Sequence, residues 1–142
     1  MNTKAMLFVP AVLSLSVLIC GCSGITQGTN AAKAQIVVFH QQFNAGQFDA
    51  IVSSADPQLY KGTEKSKVVD LLFVVNRKLG KVKSTKTISW RVQSFNLDTM
   101  VYVQQDTQFD TGTGTESFVY RIANNKALLV GYHIDSQDLI MR

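Results

Sequence analysis

The tripeptide Asp110-Thr111-Gly112 carries the first residue whose chemistry must be weighed. A carboxylate presented on such a turn serves as a general acid or base when a second carboxylate shares its proton. The chain holds one copy of the tripeptide, so a pair would need a second molecule. Asp110 also ends an alternating apolar run, and Gly112 and Gly114 supply the freedom a tight turn needs. A four-residue loop over 111–114 would pair Asp110 with Thr115, Thr107 with Phe118 and Val103 with Ile122. Every apolar side chain then falls on one face, and the stretch reads as a hairpin turn.

The same tripeptide resembles the one that supplies each carboxylate of the aspartic proteases. That resemblance would imply a dimer with the motif near the start of each subunit, whereas here thirty residues follow Gly112. The other candidates fare no better. His40 falls on a helical stretch beside Phe39, and His133 falls on a strand facing away from Tyr132 and Ile134. Neither has a second His or Cys at ligand spacing, so no metal site is expected. Tyr102 and Asp106 point the same way but are about 13 Å apart along a strand, on its more polar face. With a three-residue loop over 124–126, Arg121 faces Leu129 and His133 faces Ser117, which leaves no Arg–His dyad. No catalytic residue, metal or cofactor is expected.

The start of the chain is more informative. Lys4 precedes an uncharged apolar run over residues 5–19, shorter than the roughly 20 residues of a spanning helix but suited to a secretory signal. Both cysteines of the chain follow at once, in Ile19-Cys20-Gly21-Cys22. This resembles the bacterial lipobox: an aliphatic residue, a variable one, a small one, then cysteine. The resemblance implies cleavage after residue 21, a diacylglycerol thioether on Cys22 and acylation (palmitate or similar) of its new amino group. An ordinary cleaved signal with two incidental cysteines is the alternative. Ser23, in place of Asp, resembles lipoproteins sent to the outer membrane, where the domain would face the periplasm. Several acyl chains hold far more firmly than one. Residues 22–30 read as the lipidated Cys and a small polar tether, eight residues of which reach at most about 28 Å.

Loss of residues 1–21 removes Lys4 and lowers the formal charge from +4 to +3. The one basic cluster, between Lys81 and Lys86, lacks aromatic interleaving and reads as a solvated loop, so no nucleic-acid partner is expected. Residues 31–142 suffice for a single domain.

Within it, Asn30 would cap a helix whose stripe is Ala32, Ile36, Phe39 and Phe43, ended by Gly46. A short helix follows over 48–54, stopped before Pro57. Residues 63–79 form a third, capped by Thr63 and stopped by Gly80. Its stripe, Val68, Leu71, Leu72, Val75 and Leu79, is widened by Val69, Phe73 and Val74, so it should be buried on most of its circumference. The β-branched run "VVDLLFVV" also fits a strand, but its length and end signals favour helix. From Thr87 onward the period changes to two, predicting four strands in an antiparallel meander. The expected fold is α+β: N-terminal helices packed on a curved four-stranded antiparallel sheet.

"FNAGQFDAIVSSADPQLY", "KLGKVKSTK", Glu116 at a strand start and "LLVGYHI" resemble small secreted bacterial proteins of unknown function with the nuclear transport factor 2-like (cystatin-like) cone. The resemblance implies a concavity used for ligand binding, isomerisation, dimerisation or support of an assembly. Trp90, Tyr120 and Tyr132 would line or plug that concavity. The isomerases of that fold use an Asp base with a Tyr and a protonated Asp, a set this chain does not match. The opposite sheet face, with Val119, Leu129 and Tyr102 around Gly131, would serve a homodimer or protein partner. The functional expectation is a non-enzymatic, membrane-anchored envelope lipoprotein that binds a partner protein or small apolar ligand. A pocket enzyme of isomerase or hydrolase type is the alternative, and a purely structural subunit a third.

Overall fold

The computed structural model describes residues 23–96 and 98–141. The segment expected to be a secretory signal, and Cys22, lie outside the described residues. Helix α1, Ser23–Asn44, is already helical seven residues before the expected cap at Asn30. The stretch expected as a polar tether is thus helical, with Gly28 close enough to Ile122 that an added Cβ would lie 3.3 Å from it. Ala32, Ile36, Phe39 and Phe43 form the buried stripe as expected, and Gly46 ends the run at φ +71°. Helix α2, Phe48–Ser54, is followed by a 3-10 turn at Pro57–Tyr60, whose first turn is capped by the Asp56 side chain.

Helix α3, Lys65–Leu79, departs from expectation in its burial. Leu72, Val75 and Leu79 are buried, but Leu71, Phe73 and Val74 are each about half exposed. Val68 and Val69 are partly buried against the core, so about half of α3 meets it.

Strands β1 (Val82–Phe95), β2 (Asp98–Phe109), β3 (Thr113–Ala123) and β4 (Lys126–Asp135) form an open sheet in the order β1-β2-β3-β4, every pair antiparallel. Helices followed by this meander make the α+β fold that the sequence predicts, an arrangement consistent with the cone. A short α4, Gln137–Met141, follows. The lysine-rich stretch expected as a loop is instead the start of edge strand β1, where exposed lysines discourage pairing with another sheet.

The faces of β2 and β3 follow the sequence pattern, but their register does not. Gln108 pairs with Thr113 and Val103 with Phe118, so β2 and β3 are slipped by four residues from the expected pairing. An even slip keeps every inward side chain inward. A β-bulge between Thr87 and Ser89 leaves Ile88 without a partner and sets Trp90 opposite Val103. Between β3 and β4 the turn has two residues, Asn124 and Asn125, at φ +49° and +61°. Leu129, expected on the outer face, therefore sits opposite Tyr120 in the core. A second irregularity, past Val130, restores the pairing of Phe118 with Tyr132.

The Asp-Thr-Gly turn also clasps a helix. Asp110 Oδ2 accepts from the Lys81 backbone N–H at 2.7 Å, while Thr111 donates its N–H to Leu79 O and its hydroxyl to Lys78 O. These bonds satisfy the last carbonyls of α3. Gly80, at φ +80°, makes room: a Cβ there would come within 2.6 Å of Asp110 Cβ. The backbone bond from Lys81, then the charge of Lys83, holds the Asp110 carboxyl below its usual range. This carboxylate is spent on the turn.

Candidate functional site

Among the side chains that β2, β3 and β4 point at the helices, Gln105, Thr107, Glu116 and Tyr132 are polar, and His40 of α1 meets them there. Glu116 is 1% exposed. A carboxylate so deep is cut off from bulk solvent and needs partners from the protein. It has three. Oε2 accepts from the Thr107 hydroxyl at 2.6 Å and from His40 Nε2 at 2.8 Å, and Oε1 accepts from the Tyr132 hydroxyl at 2.8 Å. The constellation joins α1, β2, β3 and β4, and the four-residue slip of β2 against β3 assembles it by setting Glu116 opposite Gln105 and next to Thr107.

The surroundings are aromatic. The His40 ring meets Phe39 and Phe118 edge-on at 5.6 and 5.7 Å, and Tyr132 packs on Phe39 at 5.0 Å. Burial, then the Glu116 charge, pushes the Tyr132 hydroxyl well above its usual range, so it stays a donor. Tyr120 is raised for the same two reasons. Gln105 gives its amide to the Thr87 hydroxyl at 3.2 Å, and its Oε1 is the buried side-chain atom left without a partner among the described residues.

An active site on this plan would need space beside the carboxylate. The dent between α1, α2 and the sheet opens to the surface past Gln35, Val38 and Ser54, holds about 20 Å³ and is not lined by Glu116 or any of its three partners. Ligand sites run to some 300 Å³ or more. The concavity is filled by Phe39, Phe43, Phe118 and Tyr120. Tyr120 and Tyr132 belong to this packing, whereas Trp90 does not reach it. It stands on the uncovered part of edge strand β1, 55% exposed, away from the two tyrosines it was expected to join.

Two open surfaces remain. On the outer face, Arg91 lies 4.5 Å over the Tyr102 ring, within a shallow dish of about 270 Å³ that Gln104, Ser117 and Val119 also line. Asp106 lies on that face too and accepts from Thr115. A groove of about 790 Å³ opens where β2 ends and α4 begins, lined by Lys86, Gln108, Thr115, Asp135 and Met141 among others. His133 is exposed, and Arg121 pairs with Asp56, so they form no dyad, as expected. Among the described residues no three His, Cys, Asp or Glu side chains gather as a metal would require.

The polar cluster was missed in the sequence although a signal for it was present. Gln105, Thr107 and Glu116 share the alternation of Val103, Phe109 and Phe118, and a charged residue at an inward position is the informative exception. No family model matches the chain, and no curated protein matches it either.

Proposed function

We propose that this chain is a bacterial envelope lipoprotein, held by lipid on Cys22 and facing the periplasm from the outer membrane, whose domain binds a partner and performs no chemistry in its cone. The observation that carries the reading is the lipobox-like Ile19-Cys20-Gly21-Cys22, which contains both cysteines of the chain. The closed network around Glu116 supports the non-catalytic half. A general base needs a lone pair within reach of a substrate, and here three of the carboxylate's four lone-pair positions already accept from Thr107, His40 and Tyr132 in a packed interior. The same packing favours a partner protein over a small apolar ligand. Contact would be made at the outer sheet face or at the polar groove by α4.

The convergence of His40 and Glu116 favours a second reading, a pocket enzyme, which requires Tyr132 and α1 to move aside for substrate.

Cys22→Ser tests the anchor. The variant is expected to leave the membrane fraction for the soluble one, with thermal unfolding of the domain unchanged. Retention in the membrane fraction would contradict the proposal.

A further inference from the structure

We infer that the end of the domain carrying the start of α1 and Phe95 is seated in the headgroup region of the bilayer, so the domain is docked on the membrane rather than suspended from it. This rests on the lipid anchor proposed above.

Helix α1 is already formed at Ser23, the first described residue, which is bonded directly to Cys22, and one peptide unit spans about 3.8 Å. The direction of α1 is set by its contacts along β3. Gly28 lies against Ile122 near the end of that strand, and His40 bonds Glu116 near its start. Farther on, Asn44 exchanges two hydrogen bonds with Val82 at the start of β1. Helix α1 thus runs antiparallel to β3, and its beginning lies at the same end as the β1–β2 and β3–β4 turns. The five residues ahead of Gly28 rise about 7.5 Å. The two or three residues from Ile122 to the Asn124–Asn125 turn advance about 7–10 Å. Ser23 and the turn tips therefore reach nearly the same level, which the anchored residue would hold at the lipid surface.

At that level stands Phe95, paired with Asp98 at the closing of the β1–β2 hairpin and 76% exposed. An aromatic ring with no cover in the protein is at home in the interfacial layer of a bilayer. Lys126, at the other turn, is exposed to meet headgroup phosphates. Ile140 and Met141 are as exposed, but they lie at the far end on α4, beside the polar groove. The anchor selects between the two ends. Docking would turn the groove away from the membrane, toward a soluble partner.

The mature lipidated chain has no free thiol of its own, so one probe can be placed at a time. Phe95→Cys and Ile140→Cys, each exposed enough to leave the fold intact, would be labelled with an environment-sensitive fluorophore. Each protein would then be reconstituted in phosphatidylethanolamine–phosphatidylglycerol vesicles containing brominated lipid. The expected result is quenching several-fold stronger at position 95 than at 140. Equal quenching in a chain whose intact mass includes the lipid would overturn the docking and leave the anchor standing. A chain without the lipid mass, unquenched and unbound to vesicles, would overturn both.

Discussion

Glu116→Ala is expected to lower unfolding stability by about 3–5 kcal/mol. The change strips acceptors from three donors at once, the Thr107 hydroxyl, His40 Nε2 and the Tyr132 hydroxyl. Each buried donor left unpaired costs about 1–3 kcal/mol, and the emptied volume adds a cavity term. Glu116→Gln should recover only part of the loss, because the amide nitrogen presents a donor to one of the three donors it meets. Urea denaturation at neutral pH gives both values from the shift in midpoint. The sign separates structure from catalysis. A carboxylate held under strain for chemistry is often stabilising to remove, so a neutral or stabilising Glu116→Ala would return the pocket-enzyme reading to the front.

Arg121→Met should cost about 2–3 kcal/mol at neutral pH, with a dependence on acidity that identifies the cause. Asp56 is 3% exposed, accepts the Gln58 backbone N–H at 2.9 Å, and is paired with the Arg121 guanidinium. Removing one partner of a buried pair strands the other charge, but Arg121 keeps 26% of its side chain exposed. Water can therefore relieve part of the penalty, and the low end of the range applies. The Gln58 N–H, then Arg121, holds the Asp56 carboxyl below its usual range. A group whose folded pKa is depressed contributes stability above its unfolded pKa, near pH 4, and loses it as pH falls through the folded value. The gap between parent and Arg121→Met should stay constant from pH 8 to about 5 and close toward pH 2. A gap that persists undiminished at pH 2 would show that packing of the arginine stem, not charge, was lost.

What was legible in the sequence, and what was not, divides along a physical line. Side-chain period fixes which face of a strand is buried, and it placed Val101, Val103, Phe118 and Tyr120 inward as they are. It is blind to a slip by an even number of residues, which is how β2 and β3 came to pair four residues away from expectation. Bulges are equally silent in a period of two. Ile88 and Val130 fall where the ladders shift; the two-residue turn carried Leu129 from the expected outer face into the core, and the shift at Val130 restored the register beyond it. Helix α3 misled because β-branched richness reads as burial, whereas a helix at the margin of a small core needs only the stripe of Leu72, Val75 and Leu79. Trp90 was expected inside because it is large and alternates correctly. An edge strand beyond the helices leaves such a residue uncovered. The polar cluster failed for a further reason: Glu116, Thr107, His40 and Tyr132 come from four elements, and only the true register and the path of α1 bring them together.

The most direct measurement of the central claim is the intact mass of the chain extracted with detergent from bacterial envelopes. The account predicts a polypeptide beginning at Cys22 and carrying the added mass of a diacylglycerol and an amide-linked acyl chain. A mature chain that begins at another residue, or one whose mass is that of unmodified polypeptide, would contradict it.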